Sequence, residues 1–399
     1  MSKLAHAIGS ALIVFSIFGC SPQSTESSGG RSVQGVTEDE ILIGSHTDLT
    51  GPIAFYGGDS INGARMRFEE ENDKGGVHGR KIRFIVEDTA YQVPNTLRAV
   101  DKLLNLDKIF AMYMALGTPN NLAVMDDLFD AGVPNLFPLT GSIQMAEPYM
   151  KLMFTQRGIY YYEMVAALKY FVEERGRTTP CVAHVDNDFG KETLDAANDR
   201  AEEMGLSIAA VTAHKSTETE FTASVLRLRD AGCDFVLMGT VATDTIGILT
   251  IAKEIGWEDV DFVGTNAGAA SAIAELESRA GEGYFAFNHS LRIYPDTSTN
   301  EKAVAWFNKY TEMFGHEPDV TGMEGYRGAD LIVIALQAVG RDLTVEKFVE
   351  ALESIGKYED IFGYELEFSA ENHNGVKHSV LGIVENGRWV PSDESISIN

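Results

Sequence analysis

Two short turns carry residue types suited to holding an anion: Leu116-Gly117-Thr118-Pro119 and Leu139-Thr140-Gly141-Ser142. Each is small and hydroxyl-bearing, and each places backbone N–H groups near an expected helix start, where unspent amides and the helix dipole favour negative charge. Ordinary N-capping and turn formation use the same residues, and on spacing alone that is the favoured reading. Aromatic rings interrupt other loops. Tyr56 lies in a Gly-, Thr- and Pro-rich loop after the first strand-like run, where a core has no evident need for a ring; Tyr91 follows the second run, and Tyr160-Tyr161-Tyr162 form a cluster. Three consecutive tyrosines on a helix point in three directions, so at most two can face one cleft. Groups that make or break bonds are missing. The chain has no His-Glu-x-x-His, Cys-x-x-Cys or Gly-x-Ser-x-Gly, and no glycine loop matches a phosphate motif. His46, in the first loop, could meet a pocket but reads more readily as a hydrogen-bonded structural residue. We expect no enzyme, no cofactor and no metal site.

The elements that must position these loops alternate between strand and helix. A first series runs from the strand Ile41–Gly44 and the helix Asp59–Asp73 through strands at 82–87 and 109–115, a helix at 121–131 and a short strand at 135–137. A second begins after Phe154, with strands at 181–185, 208–213, 234–238 and 262–264 separated by helices. Such βα alternation predicts parallel sheets covered on both faces, with ligands off the C-terminal strand ends. The chain then returns through a strand at 283–288 and helices at 298–314, 326–339 and 345–354, and ends in two hairpin-like strands at 363–368 and 378–385.

A length of 399 residues suits two lobes, and the net charge of −27 argues against nucleic acid as a partner, since phosphate binding needs cationic surface. Ala11 to Phe18 is an apolar stretch too short to span a bilayer, and it reads as a secretory signal over residues 1–19. Ile17-Phe18-Gly19-Cys20 resembles the lipobox of bacterial lipoproteins, which makes Cys20 the expected lipidation site. Residues 20–37 then serve as anchor and flexible linker, the Ser- and Gly-rich part being a tether. Cys181 and Cys233 each sit near the start of an apolar run and are expected to be buried thiols, although export permits a disulfide between them.

The residues also resemble a known family. Asp48-Leu49-Thr50-Gly51-Pro52-Ile53-Ala54, Tyr56-Gly57, Asn62-Gly63-Ala64, Gly75-Gly76-Val77-His78-Gly79-Arg80-Lys81-Ile82, Asp186-Asn187-Asp188-Phe189-Gly190, Phe221-Thr222-Ala223 and Gly232-Cys233-Asp234-Phe235-Val236 are similar, in order, to blocks of the leucine/isoleucine/valine-binding protein family. These are type I periplasmic substrate-binding proteins of ATP-driven importers. The resemblance covers about residues 38 to 390. It implies two Rossmann-like lobes joined by a three-strand hinge, 38–156 plus 290–362 and 157–289 plus 363–399, with crossings near 155–158, 288–291 and 360–366. It also implies a small-molecule ligand between the lobes, an inner-membrane ABC permease as partner, a periplasmic or membrane-tethered location, and a monomer.

In that register the turns at Leu116, Gly117 and Thr118 and at Thr140 and Gly141 match positions where relatives hold a ligand carboxylate, and the site reading is then favoured over capping. Tyr56 and Phe189 fall where rings cover the ligand, with Tyr91, Tyr160 and Tyr161 as further walls. Arg157, at the first crossing, could reach a ligand carboxylate or bridge to Glu163 or another acid. Glu324 and Tyr326 are placed near the mouth. One position departs from the pattern: Asn266 stands where amino-acid-binding relatives keep the acid that neutralises the ligand ammonium. We therefore expect a carboxylate with an apolar or aromatic body, with a neutral amide second. An amino acid served by Asp244 comes third. A sensory module that signals to a receptor is the rival to a transport component.

Overall fold

The computed structural model describes residues 33–288 and 292–392. The signal segment, Cys20 and most of the second crossing lie outside the described residues. Strands β1 (Glu40–Thr47), β2 (Lys81–Asp88), β3 (Ala111–Tyr113), β4 (Asn135–Leu136) and β5 (Met153–Phe154) form one sheet in the order β2-β1-β3-β4-β5. Every pair in it is parallel, with Ile41 opposite Ile82 and Ile43 opposite Phe84. We call this sheet and the helices packed on it the first lobe.

The second lobe is built on β6 (Pro180–Val185), β7 (Ala210–His214), β8 (Phe235–Gly239), β9 (Asp261–Gly264) and β10 (Phe285–Asn288). After a small pair, β11 (Lys357–Glu359) and β12 (Glu365–Glu367), the chain adds β13 (Val380–Glu385) and β14 (Arg388–Pro391). The order is β14-β13-β10-β9-β8-β6-β7, parallel except where β13 meets β10 and β14. β6 and β8 are buried along their whole length, as continuous apolar runs between two helix layers must be.

The helices are α1 (Ala54–Asp73), α2 (Val93–Lys102), α3 (Thr118–Leu122), α4 (Met125–Asp130), α5 (Tyr160–Glu173), α6 (Asp188–Glu203), α7 (Thr222–Asp230) and α8 (Ala242–Glu254). They continue with α9 (Ser271–Ala274), α10 (Glu301–Phe314), α11 (Val320–Val339) and α12 (Val345–Glu353). α11 belongs to the first lobe because its backbone touches that of α1. A Cβ at Gly63 would lie 1.9 Å from the Gly322 carbonyl, and one at Gly325 1.9 Å from that of Ser60. No helix among the described residues is long and apolar enough to cross a membrane.

Four expectations change. The helix expected over 121–131 is two short helices, α3 and α4. The two terminal strands do not form a hairpin: β12 pairs with β11, and β13 enters the second sheet. The third crossing lies beyond 360–366. The Thr155 N–H donates to the His373 carbonyl at 2.9 Å, and Phe368 packs on Phe137 and Phe154, so the chain stays against the first lobe until just before β13. Finally, Cys181 and Cys233 form a disulfide. Their strands are neighbours, with Cys181 opposite Val236, which brings the two Cα atoms to 5.9 Å, inside the range a bridge requires.

Candidate functional site

The loop after β1 is shaped by Asp48, whose carboxylate accepts the N–H groups of Gly51 and Ile53. That turn sets Ile53 and Tyr56 at the start of α1. Across the first sheet, Gly117 adopts φ 97° and precedes α3; a Cβ there would lie 2.5 Å from the Tyr91 ring. Tyr91 and Ala90 both hold positive φ, 56° and 48°, which non-glycine residues adopt at a cost and which is often found where a side chain must be aimed. Glycine and strained tyrosine together bring the ring against the Gly117 turn. The hydroxyls of Thr118 and Thr140 lie 2.7 Å apart, which joins the two candidate turns.

The second lobe supplies the facing wall. Asn187 caps α6 by accepting the Gly190 N–H at 3.2 Å, and a Cβ at Gly190 would fall 1.9 Å from the Val185 carbonyl. This tight strand–helix turn presents Phe189, whose ring centre is 4.8 Å from that of Tyr160. The lobes meet where the Tyr56 hydroxyl donates to the Ala267 carbonyl at 2.7 Å.

Between them is a cavity with about 380 Å³ of free space, including its opening to solvent, lined by Ile53, Tyr56, Tyr91, Leu116, Gly117, Thr118, Leu139, Thr140, Arg157, Tyr160, Phe189, Val241 and Ala267. Its polar groups are two threonine hydroxyls, three phenols and one guanidinium. No Asp or Glu is among the lining residues. Burial, first of all, raises the titration of Tyr56, Tyr91 and Tyr160, so the phenols stay protonated. Arg157 is fixed by Glu324: Nε donates to Oε2 at 2.9 Å and Nη2 to Oε1 at 3.1 Å, with Glu324 fully buried. Burial opposes the charge on Arg157, but the Glu324 carboxylate, Tyr160 and Tyr56 together outweigh it and keep the guanidinium protonated.

Tyr56, Tyr91, Leu116, Gly117, Thr118, Thr140, Arg157, Tyr160 and Phe189 thus converge on one cavity. The other expected residues do not. Gly141 lies behind the wall, where its carbonyl accepts the Tyr160 N–H. Tyr161 turns outward to Asp199, 2.7 Å away, as one member of a triple tyrosine must. Glu324 stands behind Arg157. Tyr326 bonds Glu70 at 2.8 Å in the packing of α11 on α1, away from the mouth. Asn266 does not line the cavity either. Its N–H and Nδ2 donate to Glu163 at 3.0 and 2.8 Å, and Nδ2 also reaches the Gly158 carbonyl at 2.9 Å. The residues not foreseen are Ile53, Leu139, Val241 and Ala267. Val241 and Ala267 follow β8 and β9, so the rule that sites lie off C-terminal strand ends could have found them.

Two further expectations fail. α3 has five residues and Ser142 opens a single 3-10 turn, so neither carries the dipole of a full helix; the turns offer individual N–H and O–H donors instead. His46 is fully buried with no hydrogen-bond partner for either ring nitrogen, and burial pushes its pKa down to about 3, so it is neutral. Asp244 lies 3.2 Å from His214 in a buried pair outside the cavity lining.

Glu163 gives this region a pH signature. Burial pushes its pKa up to about 7, against the pull of Asn266, Ser379 and Arg157. A carboxyl whose folded pKa is raised keeps its proton in the folded chain after the unfolded chain has lost it. The contribution of Glu163 to stability is therefore greatest below about pH 4.5, is lost as pH rises through about 7, and then levels; the full change in that contribution is about 3 kcal/mol. Urea unfolding at pH 5, 6, 7 and 8 should show this slope in the parent and a flatter one in Glu163→Gln. Equal slopes would place the titration elsewhere.

A model described as periplasmic binding protein matches residues 40–388. The chain belongs to that family. Among relatives of this periplasmic binding protein, a leucine-, isoleucine-, valine-, threonine- and alanine-binding protein of Pseudomonas aeruginosa is 25% identical over 64% of this chain and 68% of its own length. A Leu/Ile/Val-binding protein homolog 7 of Brucella melitensis is 24% identical over 86% of this chain and 88% of its own. The fold is shared with a fatty acid ABC transporter substrate-binding protein from Thermomonospora curvata, at a TM-score of 0.81 and 21% identity, with 92% of this chain and 95% of that one covered. The family implies a periplasmic location, and these relatives are binding proteins, not enzymes.

Proposed function

We propose that this periplasmic binding protein captures a small carboxylic acid with an apolar or aromatic body and hands it unchanged to an ABC importer in the inner membrane. The observation that carries the reading is the make-up of the cavity: one buried guanidinium, two paired threonine hydroxyls, four aromatic rings, and no acid. Glu324 accepts one N–H each from Nε and Nη2 of Arg157, so it uses two of the five guanidinium N–H groups and leaves the others to serve a molecule in the cavity. Thr118 opens α3, and its N–H is one of the first-turn amides that have no partner within the helix.

An α-ammonium group would be buried here without a carboxylate beside it, which is costly. Glu163 commits its oxygens to Asn266 and Ser379, and Asp244 faces His214, so neither serves as that partner. Burying roughly 150 Å² of ligand apolar surface contributes about 4 kcal/mol, and micromolar affinity needs about 8 kcal/mol, so the polar clamp supplies the rest. Export on the N-terminal signal and tethering through Cys20 complete the reading, with the protein acting as a monomer.

A thermal-shift screen of the mature protein against benzoate, short-chain acids, benzamide and amino acids tests it. The best acid, at a hundredfold excess over its dissociation constant, should stabilise the protein by about 2.7 kcal/mol, and Thr118→Ala should remove most of that shift. A leucine response equal to the best acid would overturn the ligand class. Conversion of any probe into product would overturn the binding role.

A further inference from the structure

On either side of the cavity the two lobes are joined by the same device with the donors and acceptors exchanged. On one side Glu192 of α6, in the second lobe, accepts the Ser142 hydroxyl at 2.6 Å and the Ile143 N–H at 2.9 Å, both from the first lobe. On the other, Asp319, which caps α11 in the first lobe, accepts the Ser271 hydroxyl at 2.8 Å and the Ser271 N–H at 2.9 Å from the second. Glu192, Asp319, Ser142 and Ser271 are all buried. Each contact is a carboxylate taking one O–H and one N–H, the charge-assisted arrangement that outlasts a neutral hydrogen bond. The clasps stand close in sequence to the cavity lining: Ser142 is two residues beyond Thr140, Glu192 three beyond Phe189, and Ser271 four beyond Ala267.

We propose that Glu192 and Asp319 are positioning residues that hold the cleft closed through these two reciprocal carboxylate–serine clasps. None of the four side chains lines the cavity. The clasps therefore add closure free energy common to every ligand and set how long a ligand stays, not which ligand is chosen. A lobe that opens must break four hydrogen bonds to buried carboxylates as well as the cavity contacts. Glu192 also accepts the Tyr161 N–H at 3.3 Å and Asp319 the Val320 N–H at 2.7 Å within their own lobes, so the carboxylates are held in place before closure.

The proposal rests on the reading of a hinged binder, but its test needs no ligand. Nitroxide labels on Leu106→Cys in the first lobe and Asp230→Cys in the second, both exposed positions, report the interlobe distance by electron–electron resonance. The serines are the residues to change, because replacing the carboxylates would also remove contacts within each lobe. In the absence of ligand, Ser142→Ala and Ser271→Ala should each lower the closed-to-open ratio about tenfold, and the double variant should lower it further, with the unfolding midpoint unchanged. With benzoate as probe, dissociation should quicken by a similar factor at constant association rate. If a serine variant unfolds early, Glu192→Gln, which keeps the side-chain volume, gives the same readout. A distance distribution that the substitutions leave unchanged, whether open or closed, overturns the proposal. Failure of benzoate to bind while the distances do shift counts against the ligand class alone.

Discussion

Arg157→Met should unfold at a far lower urea concentration than the parent, even with no ligand present, and should bind no acid. Its guanidinium is the cation set against Glu324, which is fully buried at the first crossing between the lobes. Removing one partner of a buried pair takes away the counter-charge hydrogen-bonded to the other, and such losses run to about 3–5 kcal/mol. The same change takes away the one cationic donor lining the cavity. The two losses can be separated. In Arg157→Met/Glu324→Leu both charges are gone and packing can recover much of the stability, since apolar replacements of buried pairs are often neutral. The double variant should therefore unfold near the parent and still bind no acid. Recovery of binding in it would show that Arg157 serves the hinge alone. A single variant as stable as the parent would show that the pair contributes little.

Replacing both cysteines, Cys181→Ala/Cys233→Ala, should lower the free energy of unfolding by about 4 kcal/mol. The bridge closes a loop between residues 52 apart in sequence, and the chain-entropy model places a loop of that size between the values for short and hundred-residue loops. Urea unfolding of parent and variant in the absence of reductant measures the difference. Because the bridge ties β6 to the residues entering β8, in the second lobe, and neither cysteine lines the cavity, acid affinity in the folded state should stay unchanged. A loss below about 1 kcal/mol would show that the unfolded chain is already held compact there.

Much of the candidate site could be read before any coordinates. Tyr56, Thr118, Thr140 and Phe189 follow strands, and in a parallel sheet the loops at those ends gather on one side. The choices left open and the errors have a common cause. Arg157 had Glu163, six residues away, or another acid as a partner; the acid is Glu324, 167 residues on, because α11 returns along α1 and brings it there. Asn266 was read as a ligand group because of its place after β9. Its amide turns instead to Glu163 on α5, 103 residues earlier in the chain. The triple tyrosine was limited by helix geometry to partial use, but which member faces inward depended on where α6 lay.

By itself the sequence determined the alternation of strand and helix, the parallel sheets, and the small, hydroxyl-bearing turns at the strand ends. These follow from local runs of apolar and turn-forming residues, which fix backbone preference without reference to distant parts of the chain. Only the tertiary structure decided the Cys181–Cys233 bridge, the pairing of Arg157 with Glu324, and the reciprocal contacts of Glu192 and Asp319. Each joins residues far apart in the chain, and a side chain chooses among distant partners by the distance and burial that packing creates.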